Sequence, residues 1–155
     1  MDRQVNGRRP KARAGGFGLR AQVPQTPAAQ RRREVARAQE DAKRKFPNLE
    51  EKLDAIRKGI REARLSGRRF EYKEPLRALY ELAYGWSEND LLEKRIGQVA
   101  ALRAIRPRKA ANPFSVLIRA VLEDDADRKT VSRWSVALNN AMENEVAPED
   151  VCEHL

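Results

Sequence analysis

The chain has 155 residues, with 32 Lys and Arg against 23 Asp and Glu, a formal net charge of +9 and a pI of about 10.1. That length allows one compact domain plus a tail. The charge points to an anionic partner such as nucleic acid or an acidic surface, with solubility alone as the competing reading. The single cysteine, Cys152, excludes an internal disulfide and fits a reducing, cytoplasmic compartment; with His154 as the only histidine no Cys/His cluster can form, which points away from a structural zinc site within the chain. Cys152 stands where a prenylation box would place it, but Glu153 and His154 are not the aliphatic residues such a box needs. No apolar run approaches the length of a membrane span, and the N-terminus lacks the apolar segment of a secretory signal. Its Arg-rich, acid-poor composition fits both an organelle transit peptide and a nucleic-acid-binding tail.

Residues 1–27 hold four glycines and three prolines with almost no apolar periodicity. Too little can be buried there to offset the entropy of ordering, so the sequence predicts a disordered basic arm. Arg8 and Arg9 are among its charges, and a flexible cationic arm can lie along a phosphate backbone. A merely solubilising terminus is the alternative.

From Ala28 to Lys45 the pattern is a polar helix with a thin stripe of Val35, Ala38, Ala42 and Phe46. Arg31, Arg32 and Arg33 bunch at its start, where the helix dipole gains nothing from cations, so they are candidates for an external anion. The next helix, Asn48 to Ser66, carries Leu49, Leu53, Ile56, Ile60 and Ala63 at spacings of three and four, and Gly67 stops it. Asn48 is the expected cap, with Glu51 completing a capping box. The short stripe reads as that of a plain core helix, and its rhythm also suits pairing with the preceding helix or with a second copy in a homodimer. Arg68 to Tyr72 alternates briefly and reads as an extended connector.

Pro75 should start a short helix with Leu76, Leu79, Tyr80 and Ala83 on one face, stopped by Gly85. Tyr80, Tyr84 and Trp86 are candidates for stacking on bases; aromatics at helical spacing also serve as core. Ser87 is the expected cap of the following helix, which carries Leu92, Ile96, Val99 and Leu102 and must end before Pro107. Arg106, Arg108 and Lys109 then form a basic linker.

The most informative stretch is residues 112–142. Asn112 and Pro113 are a cap followed by a proline at the first helical position. Phe114, Leu117, Ile118, Val121 and Leu122 make one apolar face, and the acids from Glu123 onward interrupt it. Asp127 caps a second helix whose buried side is Val131, Trp134, Leu138 and Ala141 or Met142. A final helix should start at Pro148, with acids in its first turn, short enough to need docking on this pair or continuation in a longer chain.

From Leu117 to Val136 this arrangement resembles the helix-turn-helix DNA-binding module. Val121 takes the apolar position of the first helix, and Val131 and Trp134 take the buried positions of the recognition helix. The resemblance implies that Arg128, Lys129, Ser132 and Arg133 face bases and phosphates, with Arg133 suited to fork onto guanine and Arg128 or Lys129 to hold phosphate. Residues 112–155 hold four basic residues against nine acids, whereas residues 1–45 hold thirteen against four, a net +9. Affinity should therefore come from the N-terminal part and sequence readout from the pair.

The expectation is an all-α bundle of about five helices: a disordered basic arm (1–27), a helical region (28–110) and a helix-turn-helix-like region (111–155) in the same compact domain or a closely packed second one. The function expected is a small DNA-binding regulator of transcription or replication, DNA in preference to RNA, in the cytoplasm or on a bacterial nucleoid. The alternative is a helical adaptor that docks a protein partner through its acidic C-terminal half and tethers RNA or DNA through its basic tail. No cofactor, metal or membrane is implied. Without a nucleophile–base pair, a metal set or a phosphate-binding glycine loop, the sequence points away from an enzyme.

Overall fold

Proline, caps and left-handed closures divide the chain into six helices in the computed structural model, which describes residues 26–109, 112–122 and 126–155. These are α1 (Pro27–Lys45), α2 (Pro47–Ser66), α3 (Lys73–Glu88), α4 (Leu92–Leu102), α5 (Pro113–Val121) and α6 (Arg128–Glu143). The fold is all-α, with no strand among the described residues. The basic arm expected at 1–27 lies outside them except for its end. There Thr26 accepts a hydrogen bond from the Ala29 amide at 3.3 Å and caps α1.

One apolar cluster runs from Ala42 to Val151. The five residues read as the α2 stripe are all buried, and α2 lies against α1, α3 and α5. Gly59 permits the close approach of α3, since a Cβ there would stand 3.1 Å from Pro75 Cγ. α5 sits deepest, packed on α2, α4 and α6, with Phe114, Leu117, Ile118 and Val121 fully covered. The Phe114 ring stacks on Tyr80 with centroids 6.0 Å apart. α1 joins this core by its second half alone. Ala42 is buried, Gln39 Nε2 donates to the Leu102 carbonyl at 3.0 Å, and Val35 is 49% exposed.

Several helix ends differ from the sequence reading. Phe46, not Asn48, stands at the N-cap of α2, because Pro47 supplies the preset first turn. Residues 69–72 form a 3-10 turn, not an extended connector. α3 begins two residues before Pro75 and passes through Gly85 and Ser87, so neither is the stop or the cap expected of it. Gly67 does end α2, in the left-handed conformation at φ 69°.

α3, α4 and α6 end by one shared device. Asp90, Ala104 and Glu145 each adopt positive φ, at 55°, 52° and 54°. The next amide then reaches back to the last turn: Leu91 to the Trp86 carbonyl (2.8 Å), Ile105 to Ala100 (2.8 Å) and Val146 to Ala141 (3.0 Å). This is the Schellman closure, and the apolar residue after the left-handed one seals it.

The final helix expected from Pro148 is instead a turn followed by a 3-10 segment, Val151–His154. It docks between α3 and α6. Val151 is fully buried, Lys73 Nζ donates to the Cys152 carbonyl at 2.6 Å, and Tyr80 Oη donates to the Val146 carbonyl at 2.7 Å.

Candidate nucleic-acid interface

α6 is held at its start and at its middle. Asp127 Oδ1 accepts from the Lys129 amide at 3.2 Å, satisfying one of the unpaired donors of its first turn. Asn112 caps α5 by accepting from the Phe114 amide at 2.8 Å, while its Nδ2 donates to the Ser135 carbonyl of α6, also at 2.8 Å. One side of α6 is anchored by Ser135, Leu138 and Ala141, all buried. Beside them Trp134 meets Tyr72 with ring centroids 5.3 Å apart. The burial of Ser135 was not legible in the apolar pattern. Its hydroxyl donates to the Ser132 carbonyl at 3.0 Å, which is how a polar side chain tolerates that position.

The other side of α6 is open. Arg128, Lys129, Ser132 and Arg133 are all exposed, as the sequence reading expected of them. They line one shallow groove of about 760 Å³ together with Val136 and Asn140, and His154 borders it. Val136 is 51% exposed there, an apolar methyl surface among cations. Val136 and Asn140 were missed from the sequence. The signal was their spacing of four and eight from Ser132, which places them on the same exposed line.

A second cleft, also about 760 Å³, opens beside the N-terminus of α6. Arg57 of α2, Arg103 at the end of α4, Arg108 and Lys109 of the connector, Arg119 of α5 and Arg128 of α6 all reach it. No Asp or Glu lines it among the described residues. The basic linker was visible in the sequence, but its convergence with Arg57 and Arg119 was not.

Arg31, Arg32 and Arg33 are exposed on α1 and line neither surface. Arg8 and Arg9 lie outside the described residues. Tyr80, one of the stacking candidates, is fully buried and cannot meet a base. Burial, and secondarily the neighbouring Tyr84, hold its hydroxyl above the ordinary value of 10.0.

The α5–α6 connection differs in one respect from the module the pair resembles. Residues 122–127 separate the two helices, a longer joint than a three- or four-residue turn. Among the described residues, no group of three His, Cys, Asp or Glu side chains could hold a metal ion, and no helix is long and apolar enough to cross a membrane. No protein-family model, curated protein or solved structure matches the chain.

Proposed function

We propose that this chain is a DNA-binding regulator of transcription or replication that lays the exposed side of α6 into a groove of duplex DNA. The observation that carries this reading is the side-chain content of that face. Arg128, Lys129 and Arg133 stand on it without an ion-pair partner among the described residues, alternating with Ser132, Val136 and Asn140. Each type has a recognised use at base edges. An arginine forks onto guanine, an asparagine pairs with adenine, and an apolar side chain meets the thymine methyl. The cations of the first turn oppose the positive end of the helix dipole, so an approaching phosphate relieves both.

The net charge is concentrated in the N-terminal part of the sequence, which would supply sequence-independent affinity. Such a protein works where nucleic acid is, in the cytoplasm or on a nucleoid, and needs no cofactor. The testing experiment selects a preferred duplex from random DNA and compares the full chain with its Lys129→Ala/Arg133→Ala variant. Preference for the selected duplex over random sequence should disappear in the variant; preserved discrimination would remove α6 from the readout.

A second reading is favoured by a different observation. Glu143, Glu145, Glu149, Asp150 and Glu153 are all exposed around the C-terminal end of α6 and the segment after it. A helical adaptor could dock a basic protein partner there and use its cationic N-terminal part as an RNA or DNA tether. In that case the variant above leaves binding unchanged, while charge reversal of Glu149 and Asp150 abolishes partner capture.

A further inference from the structure

We infer that the cleft bordered by α2, α5 and the start of α6 is a binding site for adjacent phosphate groups. The cleft shares Arg128 and Ser132 with the exposed side of α6, but not Lys129 or Arg133, so its phosphate binding can be tested separately from readout.

Six cations converge on the cleft from five separate stretches of chain: Arg57, Arg103, Arg108, Lys109, Arg119 and Arg128. Like charges brought together by packing repel, which costs stability unless an anion or an acid compensates. Among the described residues, internal compensation is small. Arg103 pairs with Asp54, and an Arg119 Nη1–H makes a long bond of 3.4 Å to the Arg106 carbonyl. The Nε–H donors of Arg57 and Arg103 are buried without any hydrogen-bond partner. Buried donors of this kind are normally satisfied, and here they belong to side chains that line an open cationic cleft.

The donor set selects the ligand. Guanidinium groups present forked N–H pairs that match the oxygens of a phosphate bidentately. Ser115 and Asn112 add neutral polar groups to the same wall. A single phosphate would answer only part of this charge. The volume of about 760 Å³ leaves room for several in sequence. The ligand chemistry is therefore a run of neighbouring phosphates, supplied either by a free polyphosphate chain or by a phosphodiester backbone.

The test uses the full chain and sodium tripolyphosphate in calorimetric titration at low salt. Saturable one-to-one uptake is expected, with citrate at least about tenfold weaker: its carboxylates also fit the forks, but it carries less charge and is too short to engage the spread of cleft cations as linked phosphates do. Arg108→Gln with Arg119→Gln removes two exposed cleft cations and should weaken uptake by about tenfold or more. Lys52→Gln with Lys94→Gln, exposed cations outside the cleft, should leave it unchanged. Both side chains of the cleft pair are exposed, and unchanged helicity in circular dichroism shows that the variant still folds. No saturable uptake, equal affinity for citrate, or full affinity in the cleft variant would each overturn the proposal. A short DNA duplex then separates the two sources. Displacement of bound tripolyphosphate assigns the cleft to a nucleic-acid backbone, and simultaneous binding assigns it to a free polyphosphate.

Discussion

Asn112 and Ser135 are joined across the C-terminal helix pair, the Asn112 carboxamide donating to the Ser135 carbonyl at 2.8 Å while it caps α5 with its oxygen. One side chain thus starts one helix and holds the next. Replacing Asn112 with Ala should cost about 1.5–3 kcal/mol, the sum of a missing cap and a missing cross-helix bond. Asn112→Ser keeps the cap and should cost about 1 kcal/mol. Urea unfolding of the three proteins separates the two contributions, and a serine variant as stable as the parent would show the cross-helix bond to be worthless.

Ala104 and Glu145 occupy left-handed positions at φ 52° and 54°, where a Cβ crowds the backbone. Ala104→Gly and Glu145→Gly should each stabilise the protein by about 0.5–1 kcal/mol despite the added freedom of the unfolded chain. Thermal melts read this directly. A lower melting temperature in both would mean that the closures tolerate these side chains without strain.

Tyr80 should make stability fall in alkali. Its hydroxyl is held above 10.0 by burial and by Tyr84, so from about pH 10 upward the unfolded chain gives up this proton before the folded one does. The contribution is fully present below that pH and is lost as pH rises through the folded value. Tyr80→Phe should remove this slope, and at neutral pH should cost about 1–3 kcal/mol by stranding the Val146 carbonyl. Denaturant midpoints measured from pH 8 to 11 test both statements.

Arg31, Arg32 and Arg33 should act on DNA differently from Arg133. Neutralising the three to Gln should lower affinity alike for all sequences and reduce the salt slope by roughly 2 to 3, about 0.9 for each phosphate no longer neutralised. Arg133→Ala should instead cost roughly 1–3 kcal/mol of discrimination at one base position. Filter binding across a salt series distinguishes the two patterns.

What could be read in the sequence follows from where each signal resides. The α2 stripe from Leu49 to Ala63 and the caps at Asn112 and Asp127 are local chemistry, and they stand where the pattern put them. The ends of α3 and α4 were not legible. Their closures are satisfied by main-chain bonds and by Leu91 and Ile105, so the left-handed residue itself need not be a glycine. The exposed placement of Arg128, Lys129, Ser132 and Arg133 came from the resemblance to the helix-turn-helix module, and all four are exposed. The cationic cleft did not, since Arg57 and Arg119 are 62 positions apart and meet only through the packing of α5 on α2.

The clamps on α6 also set an order of assembly. The Asn112–Ser135 bond closes 23 residues, whereas Tyr80–Val146 closes 66 and Lys73–Cys152 closes 79. Closing the longest of these loops costs about 1 kcal/mol more entropy than the shortest. The middle of α6 can therefore be fixed early by the more local bond, while the segment beyond its C-terminal end waits for α3 and is sealed late. In the native protein the sequence of events reverses. The segment after α6 opens first, and amide exchange should run faster there than around Ser135.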